Sequence, residues 1–371
     1  MDAVPRTEMD TTNDSGPDSG GTTVQEASSR YLDSLESGGS RKTIRSPLNE
    51  FIDFCDEHSI SCVDDLSAAD LREYGSRLLD RKREGDISAS TADTYFSYVR
   101  AFLSFCVRDG LADQNPANTV KAEEYLPKDD GKRKRQFWTD EQRSQLVDHV
   151  SSRVSDSLES WSEVSREVAY RDRAIVILFI DTGVRGGELF FDPNDDRRNG
   201  LTWGDVHLDK RMVEVFGKSR KYEPVPLSDR AISALETYRT VVDPPSDKWP
   251  VFPTGHSASI YDALEEATGE RPQPGSDVDR LCREHGVAPP ALTKDGGRSI
   301  LERLTVDAEI EVEDGFLKPH GARRALGADL YRQGKSEVAQ SILRHQSIET
   351  THESYSDMQV DDLADEINEI R

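Results

Sequence analysis

Cysteine is scarce in this 371-residue chain, with four in all. Cys55, Cys62, Cys106 and Cys282 form no CxxC pair and no His/Cys cluster with zinc spacing, which excludes a disulfide framework or a structural metal as the organising device. Cys55 and Cys106 fall on apolar helical faces and read as buried thiols. Long apolar runs are also missing. The longest strongly apolar stretch is Ala174 to Ile180, well short of the roughly 20 residues that cross a bilayer. The acidic, polar start lacks the basic first segment and apolar stretch of a secretory signal. No membrane partner is expected, and a soluble protein of the cytoplasm is the default reading. No P-loop and no clustered-carboxylate metal site is visible, so neither cofactor nor metal is expected.

Basic residues are in deficit: 47 Lys and Arg stand against 71 Asp and Glu, a formal net charge of −24. Taken naively this argues against a nucleic-acid partner, because phosphate contacts need cations. The carboxylates, however, are spread along the whole chain and not gathered in one tail. That pattern suits a protein working in molar salt, where a hydrated acidic surface keeps it soluble. The Debye length there is only about 3 Å, so net repulsion is screened and local basic patches decide binding. The charge therefore points to a halophile without excluding DNA.

Residues 1–24 are rich in Asp, Ser, Thr and Gly and offer little to bury, so a disordered acidic tail is expected. From 25 to 117 the pattern is helical. Ile44, Leu48, Phe51 and Cys55 recur at helix spacing. Ser67 and Asp70 form a capping-box pattern ahead of Leu71, Tyr74 and Leu78. Tyr95, Val99, Phe102 and Cys106 share a further helix, with Gly110 as its stop. Four short helices make a small all-α domain that ends at Asn115-Pro116-Ala117. The stretch 118–137 is a charged linker holding Lys132, Arg133, Lys134 and Arg135, the densest basic run in the protein. A solvated linker and a grip on a DNA strand are equally good readings of it. Arg41, Lys42 and Arg45 at a helix head, and Arg81 to Arg83, are further candidates for phosphate contact or simply exposed.

A second domain, 138–371, opens where Thr139 and Gln142 fit a helix N-cap. A buried helix runs through Ala174–Ile180 and breaks at Gly183. Gly204 to Leu208, Met212 to Phe216 and Tyr222 to Leu227 read as three antiparallel strands with tight turns. The remainder is mainly helical, apart from a loop-rich section between roughly 243 and 298.

Four local patterns carry candidate chemistry. Thr182-Gly183-Val184-Arg185-Gly186-Gly187-Glu188-Leu189 places Arg185 just after a helix end. Gly217-Lys218-Ser219-Arg220-Lys221 puts Lys218 on a hairpin tip, where it could deliver a proton or merely be solvated. In Pro319-His320-Gly321-Ala322-Arg323-Arg324, the histidine and Arg323 are three apart and share a helix face. His345 is followed ten residues later by Tyr355. Each alone is weak; an arginine after a helix or a tyrosine near a C-terminus is ordinarily a surface or packing residue.

Their order is more informative. Arginine, hairpin lysine, HxxR, histidine and a late tyrosine resemble the tyrosine recombinase family, which includes phage integrases and Xer-type enzymes. TGVRxxEL resembles its first arginine box, VFGKSRKYEPVPL its lysine hairpin, PHGARR its HxLRH box and HQSIETT the segment before the nucleophile. Ser40 to Phe54 and Gly110 to Ala117 resemble the opening and exit of its core-binding domain, so the likeness spans roughly 25 to 360. Three positions depart from the pattern. Ser354 stands where the tyrosine usually falls, Arg344 replaces the common glycine before His345, and Arg324 replaces the common histidine after Arg323.

The resemblance implies a mainly α protein: a four-helix, SAM-like core-binding domain, then a mostly helical catalytic domain with a small three-stranded antiparallel sheet. With the acidic surface, it implies a halophilic archaeal member. It implies a site-specific recombinase or integrase acting on double-stranded DNA through a 3′-phosphotyrosine intermediate. Arg185 and Arg323 would clamp the phosphate, His320 and His345 complete the cradle, Lys218 act as general acid, Tyr355 be the nucleophile and Glu188 orient Arg185. It further implies a monomer without DNA, a tetramer on the synapse and a place on the nucleoid; the C-terminal stripe of Leu363, Ile367 and Ile370 either packs on its own domain or docks on the neighbouring protomer and holds the synapse. Strand relaxation of the type IB topoisomerase kind, or DNA binding without catalysis on the same fold, are the alternatives.

Overall fold

Thr23 accepts a hydrogen bond from the Glu26 amide and opens helix α1 (Val24–Ser34). The computed structural model describes residues 21–128, 135–159, 164–313, 315–345, 347, 349, 352 and 355, and the chain divides into two compact units between 132 and 133. Residues 1–20, Lys132, Arg133, Lys134, Leu363, Ile367 and Ile370 lie outside the described residues.

In the first unit α1 is followed by α2 (Gly38–Glu57), α3 (Ala68–Glu84) and α4 (Ala89–Arg108). Ser67 and Asp70 satisfy each other's backbone amides and so fix the start of α3. Left-handed Gly85 ends that helix, and Gly110, at φ 70°, turns the chain after α4. The apolar faces meet in a core of Leu48, Phe51, Phe54, Tyr74, Leu78, Phe96, Val99 and Phe102, with Cys55 and Cys106 among them. Ala117 and Ala122 are buried in the same core and Leu126 packs against it, so the packed chain continues past Asn115-Pro116-Ala117. Arg81 is engaged by both oxygens of Glu50 and Arg83 by Asp80, and Lys82 between them is exposed.

The second unit is built around one apolar helix. Thr139 and Gln142 form the box that starts α5 (Asp140–Asp156). Next comes α6 (Arg166–Thr182), in which every residue from Ala174 to Ile180 is buried. Gly183, at φ 59°, stops it, and a single turn, α7 (Gly186–Leu189), follows. Strands β1 (Val206–His207), β2 (Met212–Phe216) and β3 (Tyr222–Pro226) form an antiparallel sheet in that order, with Met212 opposite Pro226 and Phe216 opposite Tyr222. Helix α8 (Asp229–Val242) packs on α6.

The stretch expected to be loop-rich, 243–298, instead holds α9 (Ser257–Thr268), α10 (Val278–His285) and the start of α11 (Lys294–Asp307). Its glycines punctuate helices without interrupting them: Gly269 and Gly286 are left-handed stops after α9 and α10. Ile260, Leu264 and Cys282 anchor these short helices in the core. Helices α12 (Pro319–Arg332) and α13 (Ser336–Leu343) complete the described elements. The fold is mainly α with one small antiparallel sheet. Among the described residues, no helix is long and apolar enough to cross a membrane.

Candidate active site

The stop after α6 and the start of α12 build the floor of the site. Arg185 caps α7, and the Glu188 carboxylate accepts from the Arg185 backbone amide at 2.8 Å and from its Nη1 at 2.7 Å. Glu188 is only 4% exposed. A buried carboxylate needs such donors to stay ionised, and with Arg344 and Arg185 beside it Glu188 stays below its ordinary pKa despite burial.

Pro319 at the first turn of α12 gives up an amide that would have been unsatisfied there. That turn is docked on the segment 136–138. Gln136 Nε2 donates to Phe316 O, Lys318 N–H donates to Gln136 Oε1, and Trp138 Nε1 donates to Lys318 O. A Cβ at Gly321 would strike the Trp138 ring, so glycine is needed for this close approach.

On α12 the two residues of the HxxR pattern differ in exposure. His320 is exposed, whereas Arg323 is 5% exposed. Arg323 Nη1 donates to Gly183 O at 2.7 Å and Nη2 donates to Leu343 O. One guanidinium therefore joins the loop that carries Arg185 to the turn that carries His345. Tyr355 belongs to a small cluster with Ala328, Tyr331 and Leu343 and is 2% exposed. Its hydroxyl lies over Gly327, where any Cβ would fall well inside van der Waals contact. Lys218 is exposed at the β2–β3 turn. Arg135 is exposed, and its charge reaches the Tyr355 phenol.

A family model described as "Phage integrase family" matches residues 154–361. The chain belongs to the phage integrase family. It is thus a tyrosine recombinase, an enzyme that breaks and rejoins DNA. Among relatives, "Tyrosine recombinase XerD" of Staphylococcus aureus (strain N315) is 29% identical over 333 residues, covering 89% of this chain and 92% of that protein. The XerD of Staphylococcus epidermidis (strain ATCC 12228 / FDA PCI 1200) is 25% identical, covering 85% and 88%. In fold, the chain is similar to the Tn1549 transposon integrase solved with circular intermediate DNA, with a TM-score of 0.54 and 16% identity over 90% of this chain and 95% of that one. It is also similar to a lambda integrase dimer bound to a core site, with a TM-score of 0.53 and 13% identity over 90% and 77%.

Within this integrase fold the charges are strongly coupled. Burial and the neighbouring Arg185 push the Arg323 guanidinium down to about 9, still cationic at neutral pH. Burial, Arg323, Arg185 and Arg344 together hold His345 down at about 4. Packing around the His320 ring, with Arg324, Arg323 and Arg185, lowers that residue too, although its edge meets solvent. Both imidazoles are therefore neutral at pH 7 and able to accept a proton. Burial raises the Tyr355 phenol above its ordinary value, opposed by Arg323, Arg324 and Arg135. The desolvated phenol keeps its proton at rest.

Two further arginines, to which the motifs assign no role, brace the site. Arg198 donates to Gly187 O, Phe216 O and Gly217 O, tying the lysine hairpin to the Arg185 turn. Arg344 donates to Glu188 and to Glu223, the latter on β3. The partners of Arg198 lie 11 to 19 residues away and those of Arg344 lie 121 and 156 away, so neither pairing shows until the fold brings them together.

Proposed function

We propose that this recombinase cleaves a DNA strand by attack of the Tyr355 Oη on the scissile phosphorus. The new P–O bond forms as the bond to the 5′ oxygen breaks. Lys218 gives its proton to that oxygen, which leaves as a 5′ hydroxyl, and the product is a 3′-phosphotyrosyl enzyme. The phenol proton passes to a neutral imidazole, His320 being the candidate. Arg185 and Arg323 hold the non-bridging oxygens, where the transition state gathers charge; removing one such donor costs about 2.7–4 kcal/mol of barrier in comparable sites. His345 adds a further contact and Glu188 orients Arg185. Rejoining reverses these steps with a hydroxyl from either duplex, so the phosphotyrosine conserves the energy of the phosphodiester.

The observation that carries this reading is the placement of Arg323 and Gly327 on one face of α12. Arg323 reaches the loops of Arg185 and His345, and Gly327, one turn on, seats the Tyr355 hydroxyl. The ten-residue interval from His345 to Tyr355 is compatible with this seat.

The finer reading is a halophilic enzyme that works in molar salt on the nucleoid. Its first unit and the basic run ending at Arg135 contact DNA phosphates, which position without specifying sequence. Four protomers assemble on paired sites, with monomers prevailing off DNA. Its acidic excess, with 71 carboxylates dispersed along the chain, supports the salt requirement.

The test is covalent trapping in molar KCl on nicked suicide duplexes drawn from a library of host genomic fragments. Wild type should form a protease-sensitive adduct at a 3′ end, and Tyr355→Phe should form none. An adduct that persists in Tyr355→Phe would sink the nucleophile assignment. DNA binding without an adduct in either protein would favour the non-catalytic alternative, and relaxation of supercoiled DNA with no exchange between sites the topoisomerase-like one.

A further inference from the structure

Arg344 ends α13 in the left-handed conformation, at φ 51°. That backbone disfavours any residue with a Cβ, yet an arginine stands there, and its side chain is 90% shielded from solvent. Its Nη2 donates to Glu188 Oε2 at 2.5 Å and its Nε to Glu223 Oε2 at 3.1 Å. Glu188 is the carboxylate that holds Arg185. Glu223 lies on β3 one residue past the strand's start, where it also accepts from Ser219, the neighbour of Lys218. A Cβ at Gly217 would run into the Glu223 carboxylate, so the base of the hairpin is closed directly over that group. Arg198 joins the same hairpin to the Gly187 carbonyl from the other side.

We infer that Arg344 is a positioning residue for the reaction, a strap that holds the Lys218 hairpin at its working distance through Glu223. It reaches Glu188 as well, but Arg185 keeps its own two bonds to that carboxylate, so the strap acts on the proton donor and not on the phosphate clamp. A hairpin tip held only by its strand ladder would sweep a wider arc; a charge-assisted bond near the tip narrows it. The rival for the same residue is direct contact with DNA phosphate, since Arg344 Nη1 is buried with no hydrogen-bond partner among the described residues.

The inference rests on Lys218 being the general acid, and leaving-group chemistry separates the possibilities. A bridging 5′ sulfur departs as a thiolate, whose conjugate acid has a pKa of about 8.5. It leaves with the P–S electron pair and needs no proton from the enzyme. On a site recovered by trapping, oxygen and sulfur substrates would be compared for wild type, Arg344→Gly, Glu223→Gln and Lys218→Ala. Glycine suits the left-handed backbone, so Arg344→Gly keeps the fold, and Glu223→Gln weakens the strap from its other end. Cleavage of the oxygen substrate should slow about 10–100-fold in both strap variants, part of the 10²–10⁴ that general acid catalysis supplies. On the sulfur substrate both should return to within about twofold of wild type, as Lys218→Ala should. Equal deficits on both substrates for Arg344→Gly, with Lys218→Ala rescued, would overturn the strap in favour of phosphate contact or support of Arg185. No deficit at all would overturn it as well. Failure of sulfur to rescue Lys218→Ala would overturn the general-acid reading itself, and the purpose of the strap with it.

Discussion

A methyl group at position 327 would occupy the space of the Tyr355 hydroxyl. Alanine is the better helix former by about 1 kcal/mol, which offsets part of the crowding that the methyl brings against Tyr355 and the buried Leu343. The phenol must move, and a displacement near 1 Å can cost about 100-fold in rate. Covalent trapping should therefore fall by roughly that factor, with DNA affinity unchanged and the protein still folded. A variant that traps at the wild-type rate would show that the seat over Gly327 has no part in the reaction. Arg185, Glu188, Lys218, His320, Arg323, His345 and Tyr355 all sit in short patterns that reading along the chain picks out, because each pattern is a contiguous stretch of sequence. Arg344 is different: its partners lie 121 and 156 residues away. Such pairs form only when the fold is complete, and no periodicity records them. Before folding, Arg344 is visible only as a departure from a common glycine.

Among the elements, α5, α6 and α11 are joined by a buried charge. Asp172 on α6 is fully buried, accepts from Arg171 at 2.8 Å and from Arg303 on α11 at 2.5 Å, and has Arg153 of α5 at 3.7 Å. Taking away the only fully buried carboxylate of this group leaves cations facing one another. Breaking a buried pair from one side costs about 3–5 kcal/mol; Asp172→Ala should fall near 3, because Arg303 keeps some solvent and Asp307 stays within 4.0 Å. Denaturant titration would measure it, and a loss below about 1 kcal/mol, the level of a surface pair, would show that this cluster is not what joins the three helices. Helix ends were the most legible features at this scale. Capping boxes at Ser67 and Thr139 and glycine stops at Gly110 and Gly183 are local chemistry, readable where they occur. Helices α9 and α10 were hidden because they are short, at 12 and 8 residues. Each is held by one or two buried side chains, too few to set up a periodic pattern between closely spaced glycines and prolines.

For the molecule as a whole, net charge is the dominant long-range quantity. At −24, self-repulsion opposes every compact state, and the Debye length of about 10 Å at 0.1 M salt lets charges interact across several surface neighbours. Near 1 M it shrinks to about 3 Å and only touching pairs still interact. The thermal midpoint should therefore climb between 0.1 and 2 M KCl by more than about 4 °C, the shift that 1 kcal/mol produces in units of this size. Potassium glutamate should act as the chloride does. A flat or falling curve would remove the case for a salt-adapted surface, while leaving the recombinase chemistry untouched.

The left-handed arginine at 344 also has a population-genetic meaning. Mutation supply at such a backbone position drifts toward glycine, which removes backbone strain and demands no buried counter-charges. A lineage selected only to stay folded would lose this side chain. In a library randomised at that codon, survivors of a solubility screen and survivors of a recombination screen should thus diverge, the first enriched in glycine and the second in arginine.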